Sequence, residues 1–146
     1  MTPKIIPLLA MLAGVVPAET RLPEPAAISP LARQIIRQRM DRHGDQLELL
    51  LAAVLMLNRP LVETLASDIA ATPKLANLGG ADGALLNATL PPRFFALQDQ
   101  LGSQAKRLAE AARTRSDPAM AAAFGELTAT CVKCHSVYLG DSPSPK

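Results

Sequence analysis

Aromatic residues are scarce in this chain of 146 residues: three Phe, one Tyr and no Trp. Strands favour aromatic side chains, and where Ala and Leu dominate instead the balance tips toward helix. Histidine is equally scarce, with only His43 and His135, and cysteine is limited to Cys131 and Cys134. A structural zinc site needs a second pair of ligands that this inventory does not supply. No apolar run reaches the roughly 20 residues that span a bilayer. There is no Gly-rich phosphate loop, no Ser/His/Asp or Cys/His nucleophile arrangement and no pair of carboxylates in a convincing context, so the chain does not read as an enzyme. No internal repeat is visible. Beyond residue 18, 14 basic residues face 13 acidic ones, a net charge of +1. That balance offers no argument for nucleic acid or for an anionic membrane surface.

What is present is concentrated near the C-terminus, in Cys131-Val132-Lys133-Cys134-His135. Cys-x-x-Cys-His is the attachment pattern of a c-type haem. The two thiols become thioethers on the vinyl groups, and the adjacent imidazole becomes an iron ligand. On a helix, positions i, i+3 and i+4 share one face, so Cys131, Cys134 and His135 would point the same way. A thioredoxin-like dithiol would require a βαβ context, and nothing nearby reads as strand. The motif therefore implies one covalent haem c, with Cys131 and Cys134 as anchors and His135 as the proximal ligand to iron.

The N-terminus is consistent with that chemistry. Lys4, the apolar stretch Ile5–Val16 and Val16-Pro17-Ala18 resemble the charged, apolar and small-residue parts of a secretory signal. Haem is attached to Cys-x-x-Cys-His outside the cytoplasm, so a periplasmic protein cleaved near Ala18, with no transmembrane span in its mature form, is expected. Residues 1–18 are then the signal, 19–29 a loose lead-in, 30–140 a haem domain and 141–146 a tail. An uncleaved signal would instead anchor a haem subunit of a larger redox complex.

Local signals divide residues 30–140 into four helices. Ser29 is a good N-cap, and Pro30 suits the first helical position. Ile36, Met40, Leu47, Leu50, Val54 and Leu57 repeat at the 3/4 spacing of a bundle helix, and His43 falls on the same stripe. This helix should end near Leu57, before Asn58-Arg59-Pro60. A second should run from Pro60 or Leu61 to about Ala71. Pro73–Leu90, with Gly79-Gly80, Gly83 and Asn87, reads as a long connection. A third helix is expected from Pro91-Pro92 to about Arg115, burying Phe94, Leu97, Leu101, Leu108 and Ala112. The last should start with Asp117 as N-cap and Pro118 at its first position. The fold class is all-α, an antiparallel four-helix bundle.

These residues together resemble the class II c-type cytochromes, the cytochrome c′ family and its low-spin, Met-ligated relatives. Phe124-Gly125, five further residues, then Cys131-x-x-Cys134-His135-x-x-Tyr138 resembles the family's end pattern. Met40-x-x-x-Gly44 resembles the low-spin members, in which such a Met is the distal ligand, and the Arg59-Pro60 break resembles the family too. The resemblance implies a cytochrome c′-like bundle, and for many members a homodimer through the first two helices. One departure is Ile36, which stands where five-coordinate members often carry Arg. Arg33 and Arg37 are near enough in sequence to serve a haem propionate instead.

The sixth iron position separates two functions. Met120 lies fifteen residues before His135 on the same helix, roughly 22 Å along its axis, and Met56 lies near the far end of the first helix. Met40 and His43 stand at about the right height on one stripe, and the resemblance at Met40-x-x-x-Gly44 implies Met40 as the distal ligand, with His43 the alternative. With Met40 bound, the protein is a periplasmic monohaem carrier of single electrons, meeting redox partner proteins in transient complexes. With the position open, it is a five-coordinate haem protein that binds nitric oxide or carbon monoxide.

Overall fold

The structure, a computed structural model, describes residues 28–138. The expected signal over 1–18, most of the lead-in and the tail over 141–146 lie outside the described residues. Helix α1 spans Pro30–Leu55, α2 Arg59–Ala71, α3 Gly80–Thr89, α4 Pro92–Arg113 and α5 Asp117–Tyr138, with a 3₁₀ turn at Leu75–Asn77. No strand occurs among the described residues. The four longer helices, α1, α2, α4 and α5, form the bundle. Neighbours in sequence pack as hairpins, α1 on α2 and α4 on α5, and α2 packs on α4.

The helix starts follow local chemistry. Ser29 Oγ accepts from the Ala32 N–H at 3.2 Å, closing the first turn of α1, and Asn58 Oδ1 does the same for the Leu61 N–H at 3.4 Å. Asp117 departs from its expected role. It is the first residue of α5 rather than the cap, and the Ser116 carbonyl accepts from the Met120 N–H at 2.8 Å. The Asp117 carboxylate instead receives two hydrogen bonds from Arg59, Nε to Oδ1 at 2.8 Å and Nη2 to Oδ2 at 2.7 Å. A two-pronged guanidinium–carboxylate pair fixes orientation as well as distance, so it ties the start of α2 to the start of α5. Arg59 holds the Asp117 carboxyl below the usual carboxylate range. The tie is intact at neutral pH and is lost only in acid, as pH falls through that lowered value.

Two helices end by the same device. The Leu57 N–H donates to the Val54 carbonyl at 3.1 Å and the Asn58 N–H to the Ala53 carbonyl at 2.8 Å. After α4, Arg115 donates to Ala112 at 3.1 Å and Ser116 to Ala111 at 3.0 Å. This closure needs a left-handed residue after the helix, and Leu57 and Arg115 take it with φ of 53° and 56°. The reversal moves Leu57 off the buried stripe, and it is 46% exposed.

The stretch expected as a plain connection, Pro73–Leu90, is largely ordered into the 3₁₀ turn and α3. Its glycines do not break the helix. Gly83 lies where a Cβ would stand 1.6 Å from the Leu78 carbonyl oxygen, so its missing side chain lets the helix close on the preceding turn. Leu86 and Leu90, one helical turn apart, bury against Leu75 and Phe94.

The apolar interior is divided in two. One cluster joins Leu50, Val54, Val62, Leu65, Leu108, Met120 and Leu127 around the α1–α2 and α4–α5 hairpin turns. The other joins Ile28, Ala32, Leu75, Leu86, Leu90 and Phe94 at the opposite end, with Ile36, Cys134 and Tyr138 packed against it. Because backbone meets backbone at Gly83, the Gly83→Ala variant should lose about 2 kcal/mol of stability. Urea unfolding checks this, and an unchanged midpoint would contradict the close approach.

Candidate functional site

Between the two clusters the helices part around a partly open cavity of about 120 Å³. Helix α1 contributes Met40, His43, Gly44 and Leu47 to its wall, and α2 contributes Ile69. Helix α4 adds Phe94, Leu97, Gln98 and Leu101; α5 adds Leu127, Thr130, Cys131, Cys134 and His135. Residues nearly a hundred positions apart thus face one space.

The α5 side is arranged as helical spacing requires. Cys131 and Cys134 are half-buried, unpaired thiols, and His135 is exposed at the rim. Burial raises both thiols above the ordinary cysteine range. Cys134 is pushed up to about 11, with the neighbouring Cys131 adding to the effect. Both are protonated at neutral pH, whereas a disulfide-exchanging dithiol depends on a thiolate. Among the described residues no group of three or more His, Cys, Asp or Glu side chains converges on a metal ion, so a four-ligand zinc centre has no ligand set.

The α1 side faces the thiols with different chemistry. Met40 brings a thioether. His43 Nε2 is buried and has no hydrogen-bond partner. Burial, and then the positive charges of Arg39 and Arg42, hold His43 below the ordinary histidine range. Its ring is neutral at neutral pH and keeps a lone pair. Gly44 faces the same space, and a Cβ there would meet nothing within 4 Å. Of the other methionines, Met120 is buried in the first cluster and Met56 is 80% exposed at the end of α1, and neither reaches the cavity wall. Arg33 and Arg37 are exposed and do not line it either; Arg33 Nε donates to the Ile28 carbonyl at 3.0 Å.

Several parts of the wall were not marked as site residues by sequence reasoning. Gln98 Oε1 accepts from the Leu75 N–H at 3.0 Å, pinning the 3₁₀ turn to α4 beside the cavity. Thr130 Oγ1 donates to Gln104 Oε1, a buried pair joining α4 to α5 one residue before Cys131. Phe94, on the cavity wall, meets Tyr138 edge-on at 5.1 Å and Phe95 at 5.9 Å. A polar residue on a buried helical face is the signal for Thr130 and Gln104; nothing local in the sequence points to the Gln98–Leu75 bond.

A family model described as Cytochrome C' matches residues 89–139, which takes in all of α4 and α5 with Cys131, Cys134 and His135. Over α4 and α5 the chain is similar to the class II c-type cytochromes. No curated protein and no solved structure matches it. The match supports a c-type haem protein, and the chemistry of the cavity wall suits such a group on independent grounds. Its walls are mainly apolar, two free thiols share one helical face, an imidazole nitrogen inside it lacks a partner, and a glycine leaves room where a side chain would intrude.

The buried Thr130–Gln104 pair offers a test of how α5 is held. Thr130→Val would strand the Gln104 amide oxygen and should cost about 1–3 kcal/mol. The double variant Thr130→Val with Gln104→Leu should recover most of the loss. Urea unfolding of both variants decides it, and equal stability of wild type and Thr130→Val would show that the pair does not hold α5.

Proposed function

We propose that the protein is a periplasmic monohaem electron carrier. Cys131 and Cys134 would hold the haem covalently, His135 would ligate iron on one side and Met40 on the other. Convergence carries this reading: the cavity brings Met40 of α1 onto the wall shared with Cys131, Cys134 and His135 of α5. When bound, haem supplies a one-electron couple. The chain orients it from α5, surrounds it with Leu47, Phe94, Leu97 and Leu101, and limits water around the iron. A Met/His ligand pair raises the reduction potential and keeps iron low-spin in both oxidation states, so little rearranges on electron transfer. The competing reading, an open sixth position binding nitric oxide or carbon monoxide, has less support because α1 places two ligand-bearing residues in the cavity.

Export through residues 1–18, with cleavage near Ala18, belongs to the same proposal, as does a domain beginning near Pro30. Among the described residues no helix is long and apolar enough to cross a membrane. The test is the visible spectrum of the purified, exported protein, oxidised and reduced, with and without carbon monoxide. A sharp reduced α-band, a weak near-infrared Met–iron band when oxidised and no response to carbon monoxide are expected. A broad high-spin spectrum that shifts with carbon monoxide would replace the carrier with the gas-binding reading. Absence of covalent haem would end both.

Partner proteins are proposed to dock transiently, in keeping with small electron carriers. A homodimer through α1 and α2 is supported by the exposed apolar residues Leu51, Leu55, Leu57 and Leu61 at that corner, since an exposed apolar patch often marks an interaction site. Light scattering on the eluting protein should give twice the chain mass; a monomer at micromolar concentration would remove the proposal.

A further inference from the structure

The unpartnered Nε2 of His43 asks for an occupant that Met40 does not. A thioether is at home in apolar surroundings, so the place of Met40 on the wall costs nothing when it is unbound. A buried ring nitrogen without a partner is costly, and His43 Nε2 is buried on the cavity wall that also carries both thiols and His135. The nearest cations on its own helix, Arg39 and Arg42, could donate to that lone pair, but neither does, and Arg39 is occupied by the Pro73 carbonyl. His43 follows Met40 by three residues, about 4.5 Å along α1 and roughly 60° around it, so the two present neighbouring donors to the same space.

We propose that His43 is a second sixth ligand for the iron, taking the distal position whenever the Met40 thioether leaves it. This rests on the reading of the protein as a covalent haem carrier. The exchange is balanced within the chain: one iron–sulfur bond breaks, one iron–nitrogen bond forms from the lone pair of a neutral imidazole, and no electron or proton changes hands. Its effect is selectivity. The distal face is closed by two residues, so loss of one does not expose iron to small neutral ligands such as carbon monoxide, and the protein remains an electron carrier at a lower potential.

The experiment compares haem-loaded wild type, Met40→Ala and the double variant Met40→Ala with His43→Ala, by visible absorption, redox titration and carbon monoxide binding. Met40→Ala should lose the near-infrared Met–iron band yet remain six-coordinate and low-spin, with a lowered potential and no carbon monoxide complex. The double variant should become high-spin and bind carbon monoxide, and added imidazole should restore its low-spin spectrum. If Met40→Ala is already high-spin and binds carbon monoxide like the double variant, His43 does not reach the iron and the proposal falls while the carrier reading stands. A wild-type protein that is itself high-spin and binds carbon monoxide overturns both. Should Met40→Ala fold poorly, Met40→Leu conserves volume and carries the same spectral expectation.

Discussion

A single geometric constraint organises the molecule: Cys131, Cys134 and His135 must share one face of a rigid helix, and that face must open onto space rather than core. Helical spacing alone meets the first condition. The second requires the bundle to withhold packing at one level, and the interior does so by dividing into an upper and a lower apolar cluster with the cavity between them. A continuous core would place α1 against α5 at Met40 and Cys131 and leave no room. Much of the remaining structure keeps that gap from collapsing.

The braces lie on either side of it. At one end, Arg59 clamps Asp117 and fixes the start of α5 against α2. At the other, the 3₁₀ turn and α3 cover the bundle with Leu75, Leu86 and Leu90, held to α4 through Gln98. The Thr130–Gln104 bond then sets the rotation of α5 immediately before the thiols. Each brace is local, yet together they determine which residues of α1 look across at which residues of α5. The walls inherit their chemistry from this arrangement, apolar except where Met40, His43, Gln98, Thr130, Cys131, Cys134 and His135 enter.

Legibility in the sequence followed the range of the interaction responsible. Caps, proline starts and 3/4 spacing are properties of a few consecutive residues, and the helices they announce are present; Phe94, Leu97, Leu108 and Ala112 bury as expected, whereas Leu101 is half-buried on the cavity wall. The stretch Pro73–Leu90 was misread because Gly79, Gly80 and Gly83 signal a loop locally. The advantage of Gly83 lies in its approach to the Leu78 carbonyl, which composition does not display. Leu57 continued the apolar stripe in sequence but falls in the left-handed position that closes α1, so the chain turns away before it can bury. Asp117 looked like a cap because it precedes Pro118, and Arg59, 58 residues earlier, claims its carboxylate instead.

The sequence by itself determined the helical class and the common face of Cys131, Cys134 and His135 on α5, because a helix repeats every 3.6 residues. It also narrowed the facing residues to Met40 and His43 through their shared stripe. The tertiary structure decided that a cavity exists, that α1 rather than another helix stands across it, and that His43 Nε2 ends there without a partner while Arg33 and Arg37 stay outside. Those outcomes depend on the division of the core, the closeness of Gly83 to Leu78 and the reach of Arg59 to Asp117. All three arise between residues that only folding brings together.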